Sequence, residues 1–123
     1  MKAEERKQEQ LAKLIKESKK PVLLFICKKN LATRILMKPI LNDLQDRYKE
    51  KFIFQDINGK MPTKLKEQYA IYRYPTFLFF KNGILVHKLE GLVNRLKLFS
   101  HVQKIIKEVS IQQKEITIRD YLQ

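Results

Sequence analysis

The sequence predicts an α/β fold, a central mixed four-stranded sheet flanked by about four helices. Three observations carry this. Amphipathic segments and short apolar runs alternate along the chain, which is the pattern of parallel βαβ units. Two apolar runs, Thr76–Phe80 and Ile84–Lys88, meet across Asn82-Gly83. Asn-Gly between apolar runs is the strongest short-range hairpin signal, so an antiparallel pair joins the sheet. Finally, 123 residues that are 44% hydrophobic suit one domain with a real core.

Taken in order, residues 3–19 place Leu11, Leu14 and Ile15 among charges, an amphipathic helix that Pro21 stops. Val22–Cys27 is a continuous apolar run and reads as a strand buried on both faces. Lys28–Thr33 reads as a loop, with Thr33 as N-cap of the next helix. Leu36, Ile40, Leu41, Leu44 and Tyr48 then recur at helical spacing, and Pro39 predicts a kink among them. Phe52–Ile57 is the second strand and Asn58-Gly59 a turn. Pro62–Tyr69 is a short helix with proline suited to its first turn. After the hairpin, Gly91 breaks the chain, and Leu96, Phe99, Val102, Ile105 and Ile106 mark a last amphipathic helix over 94–108. The domain expected is 1–108, with 109–123 as an extension whose Ile116, Ile118, Tyr121 and Leu122 suit docking or pairing.

Composition excludes several classes. No apolar run approaches the roughly 20 residues of a membrane helix. The polar start, Met-Lys-Ala-Glu-Glu-Arg, has no apolar signal core, so a cytoplasmic location is the default expectation. One cysteine, Cys27, allows no intramolecular disulfide and no cysteine-based metal site, and His87 and His101 have no ligand spacing. No metal or cofactor is expected. The formal net charge of +13 points to an acidic partner, whether nucleic acid, an anionic membrane or an acidic protein, against the alternative of a lysine-rich soluble surface.

Several motifs carry a family resemblance over residues 10–108. Lys20-Pro21-Val22-Leu23-Leu24 resembles the thioredoxin strand before the active site, and Lys38-Pro39-Ile40-Leu41 the kinked active-site helix. Tyr74-Pro75-Thr76 resembles the cis-proline loop, Phe80-Lys81-Asn82-Gly83 the hairpin turn, and Gly91 the glycine after the last strand. The resemblance implies a thioredoxin fold, with the family's first strand missing or replaced by the N-terminal helix.

It also implies where chemistry should be. The Pro21–Pro39 spacing equals that of typical thioredoxins, so the Cys-Gly-Pro-Cys motif falls on Leu31-Ala32-Thr33-Arg34. The buried acidic residue that assists thiol chemistry in many family members falls on Phe25. Dithiol exchange needs an attacking thiolate and a resolving thiol. Leu31 and Arg34 supply neither, and Phe25 moves no proton. Cys27 sits four positions before Leu31. It is either a small buried hydrophobe or a mono-thiol whose pKa Lys28 and Lys29 lower.

The resemblance further brings the loops 28–34 and 72–75 to one end of the sheet. Lys28, Lys29, Arg34 and Arg73 would then converge, with Lys38 a turn beyond Arg34. A cation at a helix N-terminus opposes the helix dipole, a conflict that a bound anion would relieve. Tyr72 and Tyr74 flank Arg73 and offer stacking or peptide-contact surface. The leading expectation is a redox-inactive module that docks an acidic or extended protein segment in a groove of Leu31, Thr33, Arg34, Tyr74 and Pro75. Mono-thiol redox through Cys27 and nucleic-acid binding are the alternatives.

Overall fold

A computed structural model, described over residues 2–29, 31–58 and 61–106, gives the element order. It runs α1 (Lys2–Glu17), β1 (Val22–Cys27), α2 (Leu31–Tyr48), β2 (Ile53–Asn58), α3 (Thr63–Gln68), β3 (Thr76–Lys81) and β4 (Ile84–Glu90). A helix over 95–106, α4, follows. The sheet order is β2-β1-β3-β4. β1 and β2 are parallel, and the two remaining pairs are antiparallel. This is the mixed four-stranded sheet the sequence implies, and α1 packs on one of its faces through Leu11 and Ile15.

A first compact unit, Met1–Val93, contains the sheet and α1 to α3, and α4 belongs to a second unit that begins at Asn94. The boundary expected after residue 108 and the extension 109–123 lie outside the described residues. No helix among the described residues is long and apolar enough to cross a membrane.

β1 is the axis of the core, and all six of its residues are buried. Successive side chains of a strand point to opposite faces. Val22, Leu24 and Ile26 therefore pack with Leu11 and Ile15 of α1, Leu65 of α3, and Leu78 and Phe80 of β3. Leu23, Phe25 and Cys27 take the other face, where the Phe25 and Phe77 ring centroids lie 5.1 Å apart. Each fully buried leucine or phenylalanine contributes on the order of 1.5–3 kcal/mol.

Local chemistry sets the element ends. Lys81 pairs with Ile84 across Asn82 (φ +53°) and Gly83 (φ +80°). Positive φ at both loop positions is the two-residue geometry that matches strand twist, and Asn-Gly favours it. In α4 the Asn94 side-chain oxygen accepts the Lys97 N–H at 2.8 Å and caps the helix start. One expectation needs correction. α2 begins at Leu31, so Thr33 lies inside its first turn and is not the N-cap. Pro39 lies inside α2, which continues to Tyr48 as the helical spacing predicts; proline has no N–H to offer the Ile35 carbonyl, so one helical bond is missing there.

Candidate functional site

The four positions where the resemblance puts the redox motif form the first turn of α2. The backbone of that turn is in place, but its chemistry is different. Arg34 extends from the turn to β2. Its Nη1 donates to both Asp56 carboxylate oxygens, at 3.1 and 2.9 Å, and Nη2 donates to Oδ1 at 3.1 Å. Nη2 also donates to the carbonyls of Cys27 (3.1 Å) and Ile57 (3.3 Å), at the ends of the two parallel strands. The guanidinium carbon lies 5.7 Å from the Phe25 ring centroid. Nε is buried and has no hydrogen-bond partner among the described residues.

This geometry turns the Arg34 guanidinium toward β2, where it lines the groove between α2 and β2. A helix N-terminus repels a cation, and Asp56 supplies the relieving anion from within the chain. Bidentate guanidinium–carboxylate pairs are among the strong hydrogen bonds. Arg34 therefore ties α2 to β1 and β2 and has little charge left for a ligand.

Phe25 and Cys27 complete the replacement of the redox site. Phe25 is buried beside Phe77 and beneath Arg34. Its register partner on β2 is Asp56. The acid at this level of the sheet is thus on the neighbouring strand, held as an ion pair. Cys27 is 1% exposed. Its side chain is on the face of β1 that also carries Leu23 and Phe25.

The loop before β3 contains a cis peptide between Tyr74 and Pro75. The Pro75 ring is buried, and its carbonyl accepts the Gly91 N–H at 2.8 Å. Tyr72 is 71% exposed and Tyr74 half-buried. The Lys28 ammonium lies 4.8 Å from the Tyr74 ring centroid, so the loop after β1 and the loop before β3 do meet. Lys29 is exposed beside it. Arg73 is exposed and reaches Glu90 at 3.8 Å, while Lys88 also holds Glu90, at 3.1 Å. Lys38 faces elsewhere: with Arg34, Phe25, Ile35, Leu41, Phe54 and Asp56 it lines a groove of about 390 Å³ between α2 and β2. The expected single rim is therefore two places, Lys28–Lys29 beside the tyrosines and Lys38 beside Arg34. The Leu31 side chain lies outside the described residues.

Residues 2–104 match the thioredoxin family model. The chain belongs to the thioredoxin family. It is 28% identical over 94 residues to a chloroplastic thioredoxin Y of Oryza sativa subsp. japonica, covering 76% of this chain and 56% of that protein. It is 30% identical over 93 residues to a thioredoxin of Buchnera aphidicola subsp. Baizongia pistaciae, covering 76% of this chain and 85% of that one. The chain thus spans little more than half of the rice protein's length. Among solved structures it resembles oxidised thioredoxin O2 of Arabidopsis thaliana, with a TM-score of 0.69 and 15% identity over 83% of this chain and 89% of that one. That likeness concerns the fold alone.

Within this thioredoxin-family frame, sequence reasoning missed Asp56. A signal for it existed. Arg34 at a helix start needs an anion, and Asp56 is the one acidic residue of β2. What the sequence did not show was that two residues 22 positions apart meet in space.

Proposed function

We propose that this thioredoxin-family chain works as a binding module without dithiol exchange. It docks an extended segment of a protein partner at the end of the sheet formed by Lys28, Lys29 and the loop Tyr72–Pro75. One observation carries the reading: the position of the resolving thiol holds Arg34, locked onto Asp56 and two strand carbonyls. A side chain so committed serves architecture, and the surface beside it keeps exposed aromatic and basic groups. Tyrosine supplies large contact area at low entropic cost, and the lysines favour acidic neighbours in the segment. The burial of Cys27 weighs against the mono-thiol alternative.

Insulin reduction with dithiothreitol tests the first half of the reading. The expected rate equals that of dithiothreitol alone and does not change in Cys27→Ala; turnover that depends on Cys27 overturns it. Partner capture tests the second half. Lys28→Glu with Tyr72→Ala should lose the proteins retained by wild type, and equal recovery rejects this surface.

A further inference from the structure

The open edge of the sheet is unused by the function proposed above. β2 is terminal in the strand order and, among the described residues, pairs with β1 alone. The Ile53 N–H donates to the Pro21 carbonyl at 2.8 Å, on the β1 side. In a parallel ladder, alternate residues of one strand bond to the same neighbour. Ile53, Gln55 and Ile57 therefore turn their amides to β1, and Phe54 and Asp56 turn theirs outward.

Native edges are usually blunted by proline, lysine or a bulge. β2 reads Ile53-Phe54-Gln55-Asp56-Ile57-Asn58 and has no proline and no lysine. Its register with β1 runs through all six pairs without a shift. Its one charge, Asp56, is already paired with Arg34.

A groove lies on each side of this edge. On the α2 face, Phe25 and Leu41 form the buried floor, Ile35 is 61% exposed, and Lys38 and Asn42 are at the rim. On the α1 face, a groove of about 510 Å³ has Leu11 and Ile57 as its floor and Lys7 and Gln10 at its rim. Neither lysine has a carboxylate partner among the described residues. Each groove thus joins an apolar floor to one lysine outside the Arg34–Asp56 pair, Asp56 lines both, and the outward amides lie between them.

We propose that the β2 edge receives an extended acidic–apolar segment of a protein partner as a fifth strand. Main-chain bonds to Phe54 and Asp56 supply the pairing, and alternate side chains enter the two grooves. Because neighbouring residues of a strand go to opposite faces, the fitting pattern is two acidic residues next to two apolar ones. Each groove then receives one of each kind. This surface is distinct from the Tyr72–Pro75 end, so it stands or falls separately from the function proposed above.

The test titrates the blocked peptide TEDVIEDT into the full-length, nitrogen-15-labelled chain at low salt. The expected result is shifted Phe54 and Asp56 amides whose hydrogen exchange slows about tenfold or more on binding. The peptide TEDPIEDT, unable to continue a strand, should not bind. Lys7→Glu with Lys38→Glu should weaken TEDVIEDT about tenfold and take up TKKVIKKT instead. Both sites are on helix surfaces, so folding is retained. Phe54→Pro removes one outward N–H from an edge position that tolerates proline, and should abolish binding with the β1–β2 ladder intact. Three results overturn the proposal: no amide change at millimolar peptide, changes centred on residues 72–75, or the same protection appearing without peptide as protein concentration rises, which would mean that two copies pair at this edge.

Discussion

Arg34 Nη1 lies 2.9 Å from Asp56 Oδ2, and this contact occupies the position at which the family resemblance places a thiol. The side chains are 22% and 42% exposed, so water screens part of the pair. The two carbonyl bonds to Cys27 and Ile57 are more sheltered and add to the tie. Arg34→Ala should therefore destabilise the fold by about 1–2 kcal/mol, read from the urea midpoint at unchanged slope. Asp56→Asn should lose less, because the carbonyl bonds survive. The double variant should lose at least ~0.5 kcal/mol less than the sum of the singles. Strict additivity would mean that the pair is not coupled.

Cys27 should behave as a core residue. At 1% exposure its thiol meets iodoacetamide only when β1 opens. Labelling of the native chain should be slower than that of the urea-unfolded chain by about 100-fold or more. Cys27→Ser, which puts a hydroxyl into the core, should cost about 1–3 kcal/mol. Rapid native labelling would restore the mono-thiol reading.

The elements legible in the sequence were those fixed by local chemistry. Asn82-Gly83 gave the hairpin loop because only such residues accept two positive φ values, and Val22–Cys27 gave the buried strand because no polar residue interrupts it. The site was less legible because its decisive contact is between a helix start and a neighbouring strand. Hydrophobic periodicity reports faces, not the reach of an arginine. Thr33 looked like a cap for a similar reason. The first apolar residue of the helical pattern is Leu36, but Arg34 reaches Asp56, Cys27 and Ile57 from within the first turn. Ala70 was hidden as well, since nothing in an alanine signals positive φ.

That alanine leads to a stabilising substitution. The Ile71 N–H bonds to the Lys66 carbonyl at 2.9 Å and the Ala70 N–H to that of Glu67 at 3.3 Å. This is the paired closure of a Schellman motif, with Ala70 at φ +52° in the place that glycine favours. The Lys88 ammonium holds the Ala70 carbonyl at 2.6 Å and that of Tyr69 at 3.2 Å, and so fixes the strained residue. Relief of left-handed strain of about 1–2 kcal/mol exceeds the added unfolded-state entropy of about 0.4–1 kcal/mol. Ala70→Gly should therefore raise stability by about 0.5–1 kcal/mol. A lower thermal midpoint would show that the alanine is not strained.

Tyr69 gives the chain an alkaline limit. Its ring packs edge-on against Phe80 at 5.1 Å, and burial raises its hydroxyl pKa above the ordinary 10.0. The folded state then holds the proton after the unfolded state has lost it. The tyrosine's contribution is full below the unfolded pKa and is lost as pH rises through the folded one. Stability should fall as pH rises above about 10, and Tyr69→Phe should flatten that fall. Parallel curves for the two proteins would assign the alkaline loss elsewhere.

Restoring both thiols tests whether the family frame survives beneath the altered chemistry. Positions 31 and 34 are three apart in the first turn of α2. A thiol at a helix N-terminus has a depressed pKa and is present as thiolate near neutral pH. Leu31→Cys with Arg34→Cys should therefore form an intramolecular disulfide in air and gain measurable insulin reduction. Turnover should stay low, because Phe25 leaves the buried acid's position apolar, and Phe25→Asp added to the pair should raise it. The same triple change also removes the Arg34–Asp56 tie, so it should lower the thermal midpoint while raising the rate. A double-cysteine variant that stays reduced in air would mean that the first turn of α2 no longer has the geometry of a dithiol site.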